Sequence, residues 1–404
     1  MEPWTKRELA NCFELVRAPV RIQARDYRSA GTYPIVDQGQ ELIGGWTDRS
    51  DGLVVDLPLV VFGDHTRVLK FVDFPFVRGA DGTHLLKPAA GIDARFLYYG
   101  CLSIDLPSRG YNRHLSLLRE QSIRAPGEPE QRTIANCLRV VEDFFTAARR
   151  TTEALTQLKR TTMRELFTRG LRGEGPQALD FGNAPGSWRV AALQQVAKVQ
   201  TGAAKGRKFA DGDAIEVPYL RVANVQDGHL DLREMKTLRI RSTETERYRL
   251  RDGDVVLTEG GDFDKLGRGF IWRGELPLCI HQNHVFAVRV DRTVLDPRFF
   301  AYLAQSPYGK AYFLHVAHKT TNLACINSHK LKAFPVLVPS LDEQREIVDI
   351  LEAVDRKAEV HKRKRAVLDD LFKSLLHKLM TGEIRVSDLD LSALEQTMAA
   401  QVST

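Results

Sequence analysis

Side chains suited to reading nucleic acid recur in short mixed segments of this chain. Lys205-Gly-Arg207-Lys208, Arg221-Val-Ala-Asn224-Val-Gln226, His318-Lys319-Thr320-Thr321-Asn322 and Tyr111-Asn112-Arg113-His114 each set basic residues beside amides or hydroxyls. Arg, Lys, Asn and Gln match the edges of bases, and Ser and Thr commonly reach phosphates. Arg67, just after the turn Gly63-Asp64-His65-Thr66, joins these candidates. So do Lys265 and Arg268 in the glycine-rich stretch Gly260–Gly269, read as a long loop placed to touch phosphates. Each segment alone is weak evidence, because surface loops favour such residues in any protein.

Signatures of catalysis are missing. The chain has no Gly-x-x-x-x-Gly-Lys-Ser/Thr phosphate loop. It also lacks the Asn/Asp-Pro-Pro-Tyr/Phe tetrapeptide with which amino-methyltransferases hold a flipped base. Cys279-Ile-His281-Gln-Asn-His284 has metal-ligand residue types, but on a strand 279 and 281 share a face while 284 points away. A structural strand is the favoured reading, and no metal is expected. Gly63-Asp64-His65-Thr66 is more simply a turn after Leu59-Val-Val-Phe62 than an acid–base pair, since no nucleophile is in view. The mid-helix cluster His361-Lys-Arg-Lys-Arg365 reads as a solvated face.

A net charge of +6 is a mild basic excess, compatible with nucleic acid without requiring it. Five scattered cysteines with no Cys-x-x-Cys fit a reducing cytoplasm. No apolar run is long enough for a membrane span.

The elements that must position the candidate loops come in two copies. Pro126-Gly-Glu-Pro-Glu130-Gln131-Arg132 and Pro339-Ser-Leu-Asp-Glu343-Gln344-Arg345 each open a long helical stretch, 213 residues apart. Around Trp4 and Trp188 the offset is 184, and from Arg95-Phe96 to Arg298-Phe299 it is 203. The second module is therefore longer by 213 − 184 = 29 residues. Insertions are best tolerated in surface loops, so the modules should share a scaffold and differ in loops. β-rich runs such as Leu59-Val-Val-Phe, Asp254-Val-Val-Leu and Val285-Phe-Ala-Val-Arg-Val, broken by Gly-Asp and Asp-Gly turns, give mixed α/β (α+β) modules. Short helices are predicted at 93–104 and 297–314.

The long stretches contain no internal Pro or Gly beyond their opening residues. Ile134, Leu138, Val141, Leu155 and Leu166 in one, and Ile347, Leu351, Val354, Leu368 and Leu379 in the other, form heptad-like seams with polar middles. About forty residues of helix span roughly 60 Å. Such a helix needs a partner for its stripe, and the predicted partner is the other copy, packed antiparallel. The alternative is that each helix packs only on its own module. The predicted boundaries are a module over 1–125, a helix over 126–170, a Gly/Pro-rich linker over 171–187, a second module over 188–338, a helix over 339–383 and a polar tail over 384–404. In the tail, Ser392-Ala-Leu-Glu395 is a candidate capping box.

Together these features resemble the specificity subunit of a type I restriction–modification system. The resemblance covers about residues 3–384. It is most specific in Thr321-Asn-Leu-Ala-Cys-Ile326-Asn327 through Pro339-Ser-Leu-Asp-Glu343-Gln344, and in Tyr111-Asn-Arg-His114 through Glu130-Gln131. Val61-Phe-Gly-Asp-His-Thr66 and Val217 through Gly228 are similar to segments of the family's target-recognition domains. The resemblance implies two target-recognition domains, each reading half of a bipartite, asymmetric site on double-stranded DNA. It implies long helices that form a coiled-coil spacer and a platform for two modification subunits. Those partners would hold S-adenosylmethionine and methylate adenine, and restriction subunits, when present, would use ATP and Mg. The chain itself would be non-catalytic, with no cofactor bound directly. Rival readings are the recognition subunit of a type IIB-like enzyme, a coiled-coil scaffold that binds no DNA, and a nuclease with an unrecognised carboxylate site.

Overall fold

Thr5–Glu8 pairs antiparallel with Ser122–Ala125, and Arg189–Ala192 pairs in the same way with Pro335–Val338. The registers Thr5↔Ala125 and Arg189↔Val338 repeat at the offsets 184 and 213. The chain is seen here in a computed structural model. It describes residues 4–389 apart from 19, 109, 111, 112, 211, 262–264 and 320–323, and the backbone alone of Lys319. The candidate capping box at Ser392 lies outside the described residues. Contacts divide the chain into two compact units, one of Met1–Arg150 with His361–Thr404, the other Thr151–Val360.

The first unit is built on a four-stranded antiparallel sheet in the order Phe13–Val16, Thr83–Pro88, Leu59–Gly63, Leu69–Val72. Its central strand Leu59-Val-Val-Phe is buried on both faces. Val60 and Phe62 meet the helix Ala94–Leu102, whereas Leu59 and Val61 meet Val36, Val72 and Phe76 beneath. That is why this run is continuously apolar rather than alternating. Asp93 caps the helix by accepting from the Arg95 and Phe96 amides at 3.0 and 2.9 Å. The helix buries Phe96, Leu97 and Tyr99 completely, each contributing about 1.5–3 kcal/mol.

The second unit repeats this plan with the sheet Ala197–Thr201, Val285–Val290, Val255–Thr258, Gly269–Ile271 and the helix Pro297–Gln305. A second sheet accompanies each, four-stranded in the first module and three-stranded in the second, with one parallel pair. The registers Ile35↔Val77 and Tyr219↔Ile280 fit the offsets 184 and 203. The first enlargement therefore falls between Val36 and Val77. Between Leu220 and Ile280 the second module forms the small hairpin of Val225–Gln226 with His229–Leu230, the strand Lys236–Arg241 and the turn of helix Thr245–Tyr248, and the strand before them, Ala214–Leu220, is longer than its counterpart Tyr33–Val36.

The step from 203 to 213 corrects two expectations. The helix predicted over 297–314 is two helices, Pro297–Gln305 and Pro307–Val316, separated at Ser306. Ser306 is extended and Pro307 cannot donate a backbone bond, so the first helix ends there. The second helix is not a loop insertion, since Tyr308, Tyr312 and Phe313 are buried with Phe334 in the core. Among the described residues no helix lies between Leu102 and Leu115 in the first module. The linker expected over 171–187 is also folded. Pro176–Leu179 and Gly182–Pro185 form a hairpin, and Ala184 is fully buried.

The long helices run Glu128–Arg169 and Leu341–Thr381. Each stops at a glycine with positive φ, Gly170 at 64° and Gly382 at 75°, as left-handed helix ends require. In the first unit Ile134, Ala135 and Leu138 share a core with Leu376, Leu379 and Met380. In the second unit Met163 and Phe167 share a core with Ile347, Val348 and Leu351. Every predicted seam residue is buried or half-buried, and none is exposed. Leu158 and Leu371, which also repeat at 213 but lie off the seam, are 50% and 44% exposed.

The Glu-Gln pair that opens each helix has a packing role. Gln131 is buried; its Oε1 accepts from the Asp93 amide at 2.9 Å and its Nε2 donates to the Gly91 and Pro126 carbonyls at 3.0 and 2.9 Å. Gln344 does the same for Asp296 at 2.7 Å and for Val294 and Pro339 at 3.0 Å each. Glu130 accepts from Arg385, which also lies over the Trp4 ring, so the start of the predicted polar tail is anchored to the first unit. Glu343 accepts from Trp188 Nε1 at 3.3 Å and from the Leu171 amide at 3.2 Å. Further along, Tyr99 donates to Glu142 at 2.8 Å and Tyr302 to Asp355 at 2.7 Å, again at matching places. Among the described residues no helix is long and apolar enough to cross a membrane.

Candidate nucleic-acid interface

The candidate residues of the second module fall into two groups. In the first, the loop after Thr201 carries Lys205, Arg207 and Lys208. Lys205 lies over the Tyr219 ring at 5.4 Å, and Arg207 pairs with Glu244 at 2.9 Å. Arg207 and Arg239 both lie over the half-buried Phe209, at 5.0 and 5.9 Å. Lys208 is exposed. Arg239, on the strand Lys236–Arg241, was not singled out from the sequence, although its exposed place in an alternating strand was the available signal.

In the second group, Gly260–Gly261 pairs with Ala324–Cys325, which pairs in turn with His318–Lys319. This small ribbon brings the start of the glycine-rich loop beside the segment that holds Lys319. Arg268 donates to Gln226 Oε1 at 3.4 Å, and the Gly228 amide donates to the Gly269 carbonyl at 3.3 Å, drawing the small hairpin alongside. The Lys265 carbonyl accepts from Thr258 Oγ1 at 2.8 Å. Thr320, Thr321 and Asn322 lie outside the described residues. Arg221 belongs with neither group; it reaches Glu234 at 3.0 Å.

Asn224 needs correction as a contact residue. It is 2% exposed; its Oδ1 accepts from the Arg221 amide at 3.1 Å and its Nδ2 donates to Asp231 and Glu234 carbonyls at 2.7 and 3.0 Å. Its amide is bonded within the turn and buried, out of reach of a base edge.

In the first module, Arg67 is exposed and holds a left-handed φ of 61° in the turn closed by its amide on the Gly63 carbonyl at 2.7 Å. Its guanidinium donates to the Leu106 carbonyl at 2.6 Å. Arg113 is exposed, and Tyr111 and Asn112 lie outside the described residues. His114 is the second correction: it is fully buried, with its amide on Asp64 Oδ1 at 2.7 Å and Nδ1 on the Asp64 carbonyl at 2.8 Å. Burial alone would raise the Asp64 pKa, but the Leu115 and His114 amides and His84 together hold it below the ordinary carboxylate value.

Sequence reasoning also passed over a paired feature at the sheet rim. His84 Nε2 lies 3.3 Å from Asp64, and His284 Nδ1 lies 2.6 Å from Glu259. In both modules the carboxylate directly follows the central strand and the histidine sits on or just before its neighbour. Cys279 and His281 point into the core. Burial pushes the Cys279 thiol up to about 12 and the His281 imidazole down to about 4, and His281 Nδ1 meets the Val285 carbonyl at 2.6 Å. Among the described residues no group of three His, Cys, Asp or Glu side chains is arranged to hold a metal ion.

This geometry defines a class: two repeated α/β modules, each locked to a long helix by one buried glutamine, with basic and amide side chains on their loops. Residues 185–369 match the family model described as the type I restriction modification DNA specificity domain. That stretch is such a domain, and the family resemblance read from the sequence holds. The chain is 25% identical over 281 residues to the type I restriction enzyme MjaVIII specificity subunit of Methanocaldococcus jannaschii, covering 67% of this chain and 64% of that one. It is 27% identical over 196 residues to the type I restriction enzyme EcoKI specificity subunit of Escherichia coli, covering 45% and 41%. The alignments thus span less than two thirds of these relatives' own lengths. The S subunit of a type I restriction-modification system from M. genitalium shares the fold, with a TM-score of 0.59, 17% identity and coverage of 94% and 96%.

Proposed function

We propose that this chain is the DNA sequence-specificity subunit of a type I restriction–modification complex, and that each module reads one half of a bipartite, asymmetric site on double-stranded DNA. The carrying observation is the repeat itself. Two modules keep one frame and one strand register, yet differ by 29 residues outside that frame. Two unlike readers on one frame suit two unlike half-sites, and the spacing between half-sites is then a geometric quantity. The long helices serve as a coiled-coil spacer and as the platform for two modification subunits, joined by restriction subunits where these exist.

Base contacts come from Arg67 and Arg113 in the first module, together with Tyr111 and Asn112. In the second they come from Lys205, Arg207, Lys208, Arg221, Gln226, Lys265, Arg268 and the segment Lys319–Asn322. The chain delegates chemistry. S-adenosylmethionine belongs to the modification partners, and ATP and Mg belong to the restriction partners. Methylome sequencing of a host with and without this gene tests the reading. Loss of one bipartite N6-methyladenine motif on deletion is the expected result; an unchanged methylome despite an intact modification partner would leave only a scaffold.

A further inference from the structure

The ten-residue enlargement of the second module helps to wall a pocket. Within the second unit, one face of the first long helix meets the hairpin turn Asp227-Gly228 and the first turns of Pro307–Val316 across a pocket of about 350 Å³. Its charged lining is Lys159, Arg160, Arg164, Asp227 and Lys310. Lys159 is matched by Asp355 at 2.7 Å, and Lys310 by Asp227 at 2.9 Å. Arg160 and Arg164 are exposed, and among the described residues neither has a carboxylate within 4.0 Å. They stand one helical turn apart on the same face, where like charges repel.

The other copy of the helix resolves the same positions differently. At the offset of 213, Lys159, Arg160 and Arg164 become Phe372, Lys373 and His377. There Lys373 pairs with Asp369 at 2.7 Å and His377 lies 3.3 Å from Glu383. The first module thus compensates its charge on the spot. The second keeps two uncompensated guanidinium groups where added chain has built a wall opposite them. Two features absent from one copy and coincident in the other point to a ligand with negative charge.

We propose that this pocket binds a phosphate group, with Arg160 and Arg164 as the primary contacts and Lys159 and Lys310 adding to the cationic field. Planar guanidinium forks match phosphate oxygens in pairs, and the volume admits a phosphate with its ester neighbours. The phosphate can be that of a DNA backbone, which rests on the proposed function, or that of a small free compound, which does not.

The test compares the full-length protein with the double variant Arg160→Gln/Arg164→Gln and with Lys373→Gln/His377→Gln at the equivalent place. One arm measures affinity for a duplex of arbitrary sequence against salt concentration. The other measures melting temperature against millimolar inorganic phosphate. If the DNA backbone supplies the group, the Arg160/Arg164 variant loses about 1 to 2 from the log–log salt slope while the Lys373/His377 variant keeps it. If a free compound supplies it, inorganic phosphate raises the wild-type melting temperature and leaves the Arg160/Arg164 variant's unmoved. An Arg160/Arg164 variant that matches wild type in both arms overturns the proposal, as does an equal loss in the two variants. Should wild type bind no DNA at all, the DNA reading falls alone and the phosphate arm still decides.

Discussion

In the first module Gln131 ties the helix start to Gly91, Asp93 and Pro126; in the second, Gln344 makes the same three bonds to Val294, Asp296 and Pro339. Tyr99 with Glu142 and Tyr302 with Asp355 repeat the agreement farther along. Outside these contacts it ends. One module has short strands at Tyr33–Val36 and Gly45–Thr47, while the other extends them and adds a hairpin and a packed helix. The glutamine and tyrosine contacts that hold each module to its helix are copied, and the elements added to the second module are not. A shared frame with divergent surfaces is what two readers of different sequence on one spacer would need.

Exchange of residues 188–338 for the equivalent module of a relative separates the two readers with the largest expected effect. One half of the methylated motif should change entirely and the other should remain. A change in both halves, read from the methylome, would mean that the modules do not read independently.

Much of this division was readable in the sequence. The helices, their seams and the gapless offset followed from periodicity, because burial along a helix leaves a regular trace at Ile134, Leu138, Ile347 and Leu351. Apolar runs such as Leu59-Val-Val-Phe announced central strands for the same reason. The inserted helix was misread because its Tyr308, Tyr312 and Phe313 pack on Phe334, far along the chain, and local pattern alone made them a continuation of the preceding helix. His114 and Asn224 have the residue types of DNA contacts. Only the fold places one under Asp64 and the other inside its own turn. The Glu-Gln pair was visible as a repeated motif, but its three backbone partners come from chain about 40 to 50 residues away in part, beyond what spacing conveys.

The next largest effect concerns the frame. Gln344→Met strands one amide and two carbonyls in a buried site and should cost about 2–4 kcal/mol in chemical denaturation. Gln131→Met should cost the same within error. A large inequality would show that the two frames are only superficially alike.

Burial holds His281 neutral, with its pKa down near 4. The unfolded chain takes up a proton near 6.5 and the folded second unit does so only near 4, so its stability is full above about 6.5 and falls as pH drops toward 4. The loss should be on the order of 3 kcal/mol at most, confined to the second unit. Hydrogen exchange followed across that pH range in wild type and in His281→Gln checks it. Wild-type residues 151–360 should lose protection, and the variant should show a flatter profile. Equal loss in both proteins would assign the effect to other groups.

On the proposed function, the modules read and the helices measure. The most direct test lengthens both long helices by one heptad, which keeps each seam in phase and adds about 10 Å, or roughly three base pairs of B-DNA. The methylome of a host carrying this variant should show the same two half-sites with a wider gap between them. Altered half-sites, or unaltered spacing with full activity, would contradict the account.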